Sequence, residues 1–128
     1  MTDNIKSILV DIDNTLTIES NNTYENKEPN VELIKKLWEY KHNGYQIILY
    51  TARRMLTHKG DEAKIIKDVG LITLNWLNKH NVPFDGIKFG KPYASEFMID
   101  DKAIRPNEFI KLNTQEINNL INPKNKND

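Results

Sequence analysis

The sequence predicts an α/β fold in three layers, with a parallel sheet between helices. Three observations lead there. Short apolar runs alternate with stretches whose apolar residues recur at helical spacing, the pattern of β-α-β units. Each apolar run is rich in Ile, Leu and Val with little polar alternation, as expected of strands buried on both faces. The chain has 128 residues, the size of one domain, enough to bury about two-thirds of its unfolded surface.

Taken in order, Ile5 to Asp11 form the first strand, ended by Asp11 and Asp13 because Asp and Asn disfavour strand. Residues 14–28 are polar and Asn-rich and read as a loop or flap. Pro29-Asn30 opens a helix with Val31, Ile34, Leu37 and Trp38 on its inner face, and Gly44 closes it. Gln46 to Thr51 form the second strand. Residues 52–68 are charged and read as a loop with a short helix at most. A second long helix then carries Val69, Ile72, Trp76, Leu77 and His80 inward and stops before Pro83. Gly86 to Phe89 form the third strand, Gly90-Lys91-Pro92 a turn, and Phe97-Met98-Ile99 a fourth strand ending at Asp100-Asp101. Pro106 starts a final helical region with Phe109, Ile110, Ile117, Leu120 and Ile121. The expected organisation is one domain over 1–122 and a frayed tail over 123–128.

Composition excludes several classes of function. Lys+Arg and Asp+Glu both number 18, so no net basic field draws the chain to nucleic acid or an anionic membrane. Cysteine is absent, which removes disulfide and thiolate chemistry. The polar start Met1-Thr2-Asp3-Asn4 does not resemble a signal peptide, and no apolar run approaches a membrane span. A cytoplasmic location is the expectation.

The ends of the strands carry the chemistry: Asp11 and Asp13, then Thr51, then Lys91, then Asp100 and Asp101. Parallel strands place their carboxyl ends on one edge, where α/β sheets bind ligands. Four carboxylates in one cleft repel each other and raise their own pKa values, and a divalent cation relieves this. Hard oxygen ligands in an incomplete cage suit Mg²⁺. A phosphate is the natural guest for such a cation together with a Lys ammonium and a Thr hydroxyl.

The order Asp-x-Asp-x-Thr, Thr51, Gly90-Lys91-Pro92 and Ile99-Asp100-Asp101 resembles the haloacid dehalogenase superfamily of phosphohydrolases. Thr51-Ala52-Arg53-Arg54-Met55, Trp76 to Asp85 and Ile99 to Pro106 are similar to its capsule polysaccharide biosynthesis phosphatase branch, the likeness spanning residues 5–110. Asn14, Gly70 and Tyr93 depart from that branch, where Gly, Pro and Trp are common. The resemblance implies a Rossmann-like sheet without a sizeable cap domain. It implies hydrolysis of a small phosphate monoester, a sugar phosphate or related polar metabolite, through an aspartyl-phosphate. Asp11 matches the nucleophile and Asp13 the general acid and base. Thr51 and Lys91 match the groups that hold the phosphoryl oxygens; apart from the resemblance, Asn14 beside the carboxylate pair and Arg53 just after the second strand are further candidate substrate contacts, with a solvated loop the plainer reading of Arg53. The Mg²⁺ ligands implied are Asp11, Asp13, Asp100 and Asp101. Members without caps often cover the cleft with a neighbouring subunit, so a homo-oligomer is a further expectation.

Other residues have plainer readings. Arg54 and His58 fit a solvated loop as well as an anion clamp, and Tyr24 an exposed flap residue as well as a lid. Trp38 and Trp76 read as core, His80 as a helix cap, and Lys102 and Arg105 as a charged turn. Two other activities use similar residues. A receiver-type phosphoacceptor domain also joins Asp, Thr, Lys and Mg²⁺, but its adjacent acidic pair comes early, whereas Asp100-Asp101 comes last. A phosphomutase would use Asp13 equally well.

Overall fold

The computed structural model describes residues 5–122, so the expected tail at 123–128 lies outside the described residues. The chain divides into two compact units, Met1–Tyr93 and Ala94–Asp128.

The first unit is an α/β assembly around a three-stranded parallel sheet in the order β1-β2-β3. Strand β1 is Ser7–Asp11, β2 is Gln46–Thr51 and β3 is Gly86–Phe89. Ile8 pairs with Ile47 and Asp11 with Tyr50, while Thr51 pairs with Phe89. Cross-strand partners share a face, so one face gathers Val10, Ile47, Leu49, Thr51 and Phe89, all buried. Asp11 and Tyr50 stand on the other.

Helix α1, Val31–His42, follows the flap. The Asn30 side chain caps it by accepting the Leu33 N–H, and Gly44, at φ +93°, turns the chain out in a left-handed conformation that costs glycine nothing. Its inner face differs from the expected one. Leu33, Ile34, Leu37 and Tyr40 are buried, whereas Val31, in the first turn, is exposed. Trp38 is half-buried and donates its indole N–H to the Asn81 carbonyl at 2.8 Å.

Helix α2, Glu62–Lys79, starts well before the expected position at Val69. Asp61 caps it by accepting the Lys64 N–H. Its first two turns look loop-like because Glu62, Lys64, Lys67 and Asp68 face solvent, leaving Ile65 and Val69 to mark the buried stripe. That stripe continues through Thr73, Trp76 and Leu77. His80 is its C-terminal cap residue, packed against Trp76.

Asp85 pins β3 to β2. Its N–H donates to the Ile47 carbonyl at 2.7 Å, its carboxylate accepts the Ile47 N–H at 2.8 Å, and Lys41 pairs with it. The Lys41 hydrogen bond and then the Ile47 N–H hold the Asp85 carboxyl below the usual carboxylate range. A depressed folded-state pKa adds stability above the unfolded value of about 4 and loses it as pH falls through the lower folded value. Asp85→Ala should therefore cost about 1 kcal/mol at pH 7, a figure kept low by solvent screening. In denaturant titrations the gap from wild type should close in strong acid. A gap that is the same at both pH values would exclude this origin.

In the second unit, Phe97-Met98-Ile99 is not a strand, contrary to the sequence expectation. Strands are defined by pairing, and among the described residues only β1, β2 and β3 pair in a sheet. The chain bends at Ser95-Glu96, and the Asp100 carboxylate accepts the Lys102 N–H at 2.9 Å, closing a turn immediately after Ile99. The final helical region is two helices, α3 at Pro106–Lys111 and α4 at Thr114–Ile121. Asn113 separates them because its side chain caps α4, accepting the Glu116 N–H at 2.8 Å, while Glu116 accepts the Asn113 N–H at 2.9 Å.

Among the described residues no helix is long and apolar enough to cross a membrane.

Candidate active site

The apolar run of β1 delivers Asp11 to the carboxyl edge of the sheet. Ile12 follows, fully buried, and anchors a sharp turn beyond the strand. Asn14 takes the left-handed conformation at φ 61°, ψ 22°, which Asn tolerates better than most residues. Its N–H donates to the Thr17 hydroxyl at 2.9 Å, and the Thr17 N–H returns to the Ile12 carbonyl at 3.1 Å. The turn so closed directs the Asp13 side chain back to the end of β2.

There Thr51 is fully buried. Its hydroxyl donates to Asp13 Oδ2 at 3.2 Å and accepts the Arg53 N–H at 3.1 Å. Its carbonyl accepts the N–H groups of Gly90 at 3.1 Å and Lys91 at 3.0 Å, which ties the turn after β3 to the end of β2. Gly90 sits at φ +109°, a conformation that L side chains rarely adopt and that favours glycine, and a Cβ there would also displace the Glu62 side chain, whose Oε1 would lie 2.7 Å away. This placement sets the Lys91 ammonium 3.4 Å from Asp11 Oδ1 and 4.7 Å from the centre of the Tyr50 ring.

Asp13 is held more firmly. Arg53 Nε lies 3.1 and 3.0 Å from its two carboxylate oxygens, and Nη2 makes a 3.0 Å ion-pair contact with Oδ1. Nη2 is buried and lacks hydrogen-bond alignment, while Nη1 donates to the Thr73 hydroxyl at 2.9 Å.

The cluster in the first unit thus opposes two carboxylates, Asp11 and Asp13, to two cations, Lys91 and Arg53. Burial pushes the Asp11 carboxyl up; Lys91 opposes that effect and Asp13 adds to it. A phosphate dianion entering here would bring about two uncompensated negative charges to a balanced site, which a divalent cation would offset. Asp11 is a hard oxygen donor whose charge is only partly met, and Mg²⁺ is commonly held by one or two carboxylates together with substrate phosphate. Within this cluster Asp11 is the carboxylate left to meet such an ion, because both Asp13 oxygens are engaged by Arg53 and Thr51. Among the described residues no group of three or more His, Cys, Asp or Glu is gathered as a metal cage.

The structure therefore brings together Asp11, Asp13, Thr51, Arg53 and Lys91. Asn14 shapes the turn through its backbone, and its side chain is exposed. Asp100 and Asp101 belong to the second unit, where Asp100 closes the turn with Lys102. Arg54 and His58 pair with Asp68 on α2, at 3.5 and 2.9 Å.

Sequence reasoning did not single out Thr73 or Tyr50, and it left Tyr24 open. Thr73 carried a usable signal, a hydroxyl at i+4 from Val69 on an otherwise apolar buried stripe, where it needs a partner. Tyr50 was marked by its place beside Thr51 on the open face of β2. The partner of Tyr24, the guanidinium of Arg53 at 4.1 Å, is too distant in sequence to be foreseen.

Neither a protein-family model nor a curated protein matches the chain. A Vibrio cholerae protein known from its crystal structure as a structural-genomics target is similar to it. The two share 40% identity over 94% of this chain and 99% of that one, with a TM-score of 0.90. At that identity and coverage the two chains belong to one family.

Proposed function

We propose that the protein is a Mg²⁺-dependent phosphatase of the haloacid dehalogenase type, acting on a small phosphate monoester. A sugar phosphate or related polar metabolite of capsule polysaccharide biosynthesis is the substrate class the sequence resemblance favours. The observation that carries the reading is the juxtaposition of Asp11 with Lys91 at 3.4 Å, beside a second carboxylate fixed at the end of β2. Asn14 also supports it. The position where Gly is common in that branch adopts a left-handed conformation here, which Asn satisfies as Gly would.

Asp11 is the nucleophile. Its carboxylate oxygen forms a bond to phosphorus as the bond to the leaving oxygen breaks. Asp13 hands a proton to that oxygen, releasing the alcohol, and later takes one from the water that attacks the aspartyl-phosphate. That attack releases inorganic phosphate and restores the Asp11 carboxylate. Lys91 balances charge on Asp11 and on the transferring group, and Thr51, its hydroxyl proton committed to Asp13, orients that carboxylate. Charge stabilisers of this type contribute roughly 3–4 kcal/mol each to lowering a barrier. Mg²⁺ would be held by Asp11 and the Asp13 carbonyl, and it would supply charge neutralisation for the phosphate.

Turnover of an aryl phosphate, with and without EDTA, tests this reading. Activity should vanish with the chelator and return with added Mg²⁺, and a panel of phosphorylated metabolites should then identify the substrate. Full activity in metal-free buffer would sink the metal assignment, and no hydrolysis of any phosphate would sink the function.

A further inference from the structure

Arg53 is the most enclosed charged residue among the described residues, 3% exposed. Its guanidinium donates from Nε to both Asp13 oxygens and from Nη1 to Thr73 on α2, while Nη2 lies 3.0 Å from Asp13 Oδ1 as an ion pair without hydrogen-bond alignment. Its own N–H is fixed by the Thr51 hydroxyl. One flat side is covered by the Tyr24 ring, whose centre lies 4.1 Å from the guanidinium carbon. An arginine so occupied cannot reach a substrate without abandoning Asp13.

Tyr24 comes from the flap, and the flap is fastened at several points. Ile18 N–H donates to the Glu28 carbonyl at 2.9 Å, and Asn30 N–H to the Leu16 carbonyl at 2.7 Å, closing its neck. Lys27 Nζ donates to the Ser20 carbonyl at 2.5 Å across the loop. The Trp76 indole donates to the Lys27 carbonyl at 2.9 Å, fixing the flap to α2. Tyr24 itself packs against the buried cluster of Ile65, Val69 and Phe89. A single chain of contacts thus runs from flap to guanidinium to carboxylate.

We propose that Arg53 is a positioning residue which aims the Asp13 carboxylate, and that Tyr24 couples this aim to the seating of the flap. The inference rests on the phosphatase reading and adds to it a route by which the flap governs the acid–base group. A planar fork is required, because only a guanidinium can meet both carboxylate oxygens, Thr73 and an aromatic face at once. A lysine keeps the charge and loses the fork.

The experiment compares wild type with Arg53→Lys, Tyr24→Ala and Tyr24→Phe. It measures kcat and KM on an aryl and an alkyl phosphate, together with amide hydrogen exchange in the flap. Arg53→Lys should lower kcat roughly 10–100-fold, as losing a group that orients another typically does, with little change in KM. The loss should be greater for the alkyl phosphate, which depends on proton transfer from a well-aimed Asp13. Tyr24→Ala should show the same pattern more weakly and speed exchange of the Ile18 and Asn30 amides. Tyr24→Phe, which keeps the ring face, should restore most of both. A raised KM with kcat intact in Arg53→Lys would make Arg53 a substrate clamp and overturn the proposal. Equal losses on both substrates would reduce it to a structural ion pair and overturn it as well. Unchanged flap exchange in Tyr24→Ala would remove the coupling. A wild type inert toward every phosphate would fail the proposed function itself, whereas an active wild type with Arg53→Lys at full kcat would fail this inference alone.

Discussion

Asp11→Asn should abolish turnover, by roughly 10⁴-fold or more, without lowering the melting temperature. The amide cannot attack phosphorus, and among the described residues Lys91 makes its ion pair with Asp11. The stability half of the prediction has its own cause. Burial dominates the upward push on the Asp11 carboxyl, and Lys91 does not cancel it. An acid whose folded-state pKa is raised contributes stability below its unfolded pKa and loses that contribution as pH rises through the folded value. At neutral pH without metal, ionised Asp11 is therefore a burden on the fold, and the neutral amide removes it. Thermal melts in EDTA should show the variant at or above wild type at pH 7, with the difference shrinking in acid, where wild-type Asp11 is also neutral. Inactivity accompanied by a large drop in melting temperature would mean that the fold had failed, and the nucleophile assignment would lose its support.

This pairing of lost activity with retained stability reflects how much of the site the sequence disclosed. Asp11 and Thr51 were legible because each closes an unbroken apolar run, and Lys91 because it stands in the Gly90-Lys91-Pro92 turn after the third strand; parallel pairing carries such ends to one edge. Arg53 and Arg54 were harder to separate, being neighbours of the same type. Their fates differ through tertiary partners: Arg53, just past the end of β2, is held inward by the Thr51 hydroxyl, Asp13 and Thr73, whereas Arg54, at φ 61°, pairs with Asp68 and stays outside. The start of α2 was hidden for a different reason. One apolar residue per turn, Ile65 and then Val69, suffices to seat the helix, while its charged neighbours resemble a loop. At Phe97-Met98-Ile99 the sequence showed strand-forming residues, but pairing depends on a partner that no local pattern specifies. The partner of Tyr24 was invisible for a similar reason, since Arg53 meets it through tertiary packing.

Asp13→Asn should discriminate between leaving groups. Thr51 at 3.2 Å and Arg53 on both oxygens all donate to Asp13, so the amide turns an N–H donor toward one of them and leaves the buried Arg53 charge unpaired; the variant should melt below wild type, and its kinetics are read well below that melting temperature. It loses the exchangeable acid proton and the ability to accept one from water. A departing phenolate with low basicity needs little protonation, whereas an alkoxide needs it almost fully, so the first step should slow by about 10²–10⁴-fold for an alkyl phosphate and much less for an activated aryl phosphate. The second step, attack of water on the aspartyl-phosphate, has lost its base in both cases. With the aryl substrate the variant should therefore release one equivalent of phenol in a rapid burst and then turn over slowly, with phosphate held on Asp11. The alkyl substrate should show no burst, because formation of the intermediate is itself impaired. Rapid mixing with detection of phenol, followed by acid quenching to recover phosphorylated protein, measures both steps. A burst of equal size from both substrates, or none from either alongside equal losses of steady-state rate, would remove Asp13 from the acid role and leave it a structural partner of Arg53.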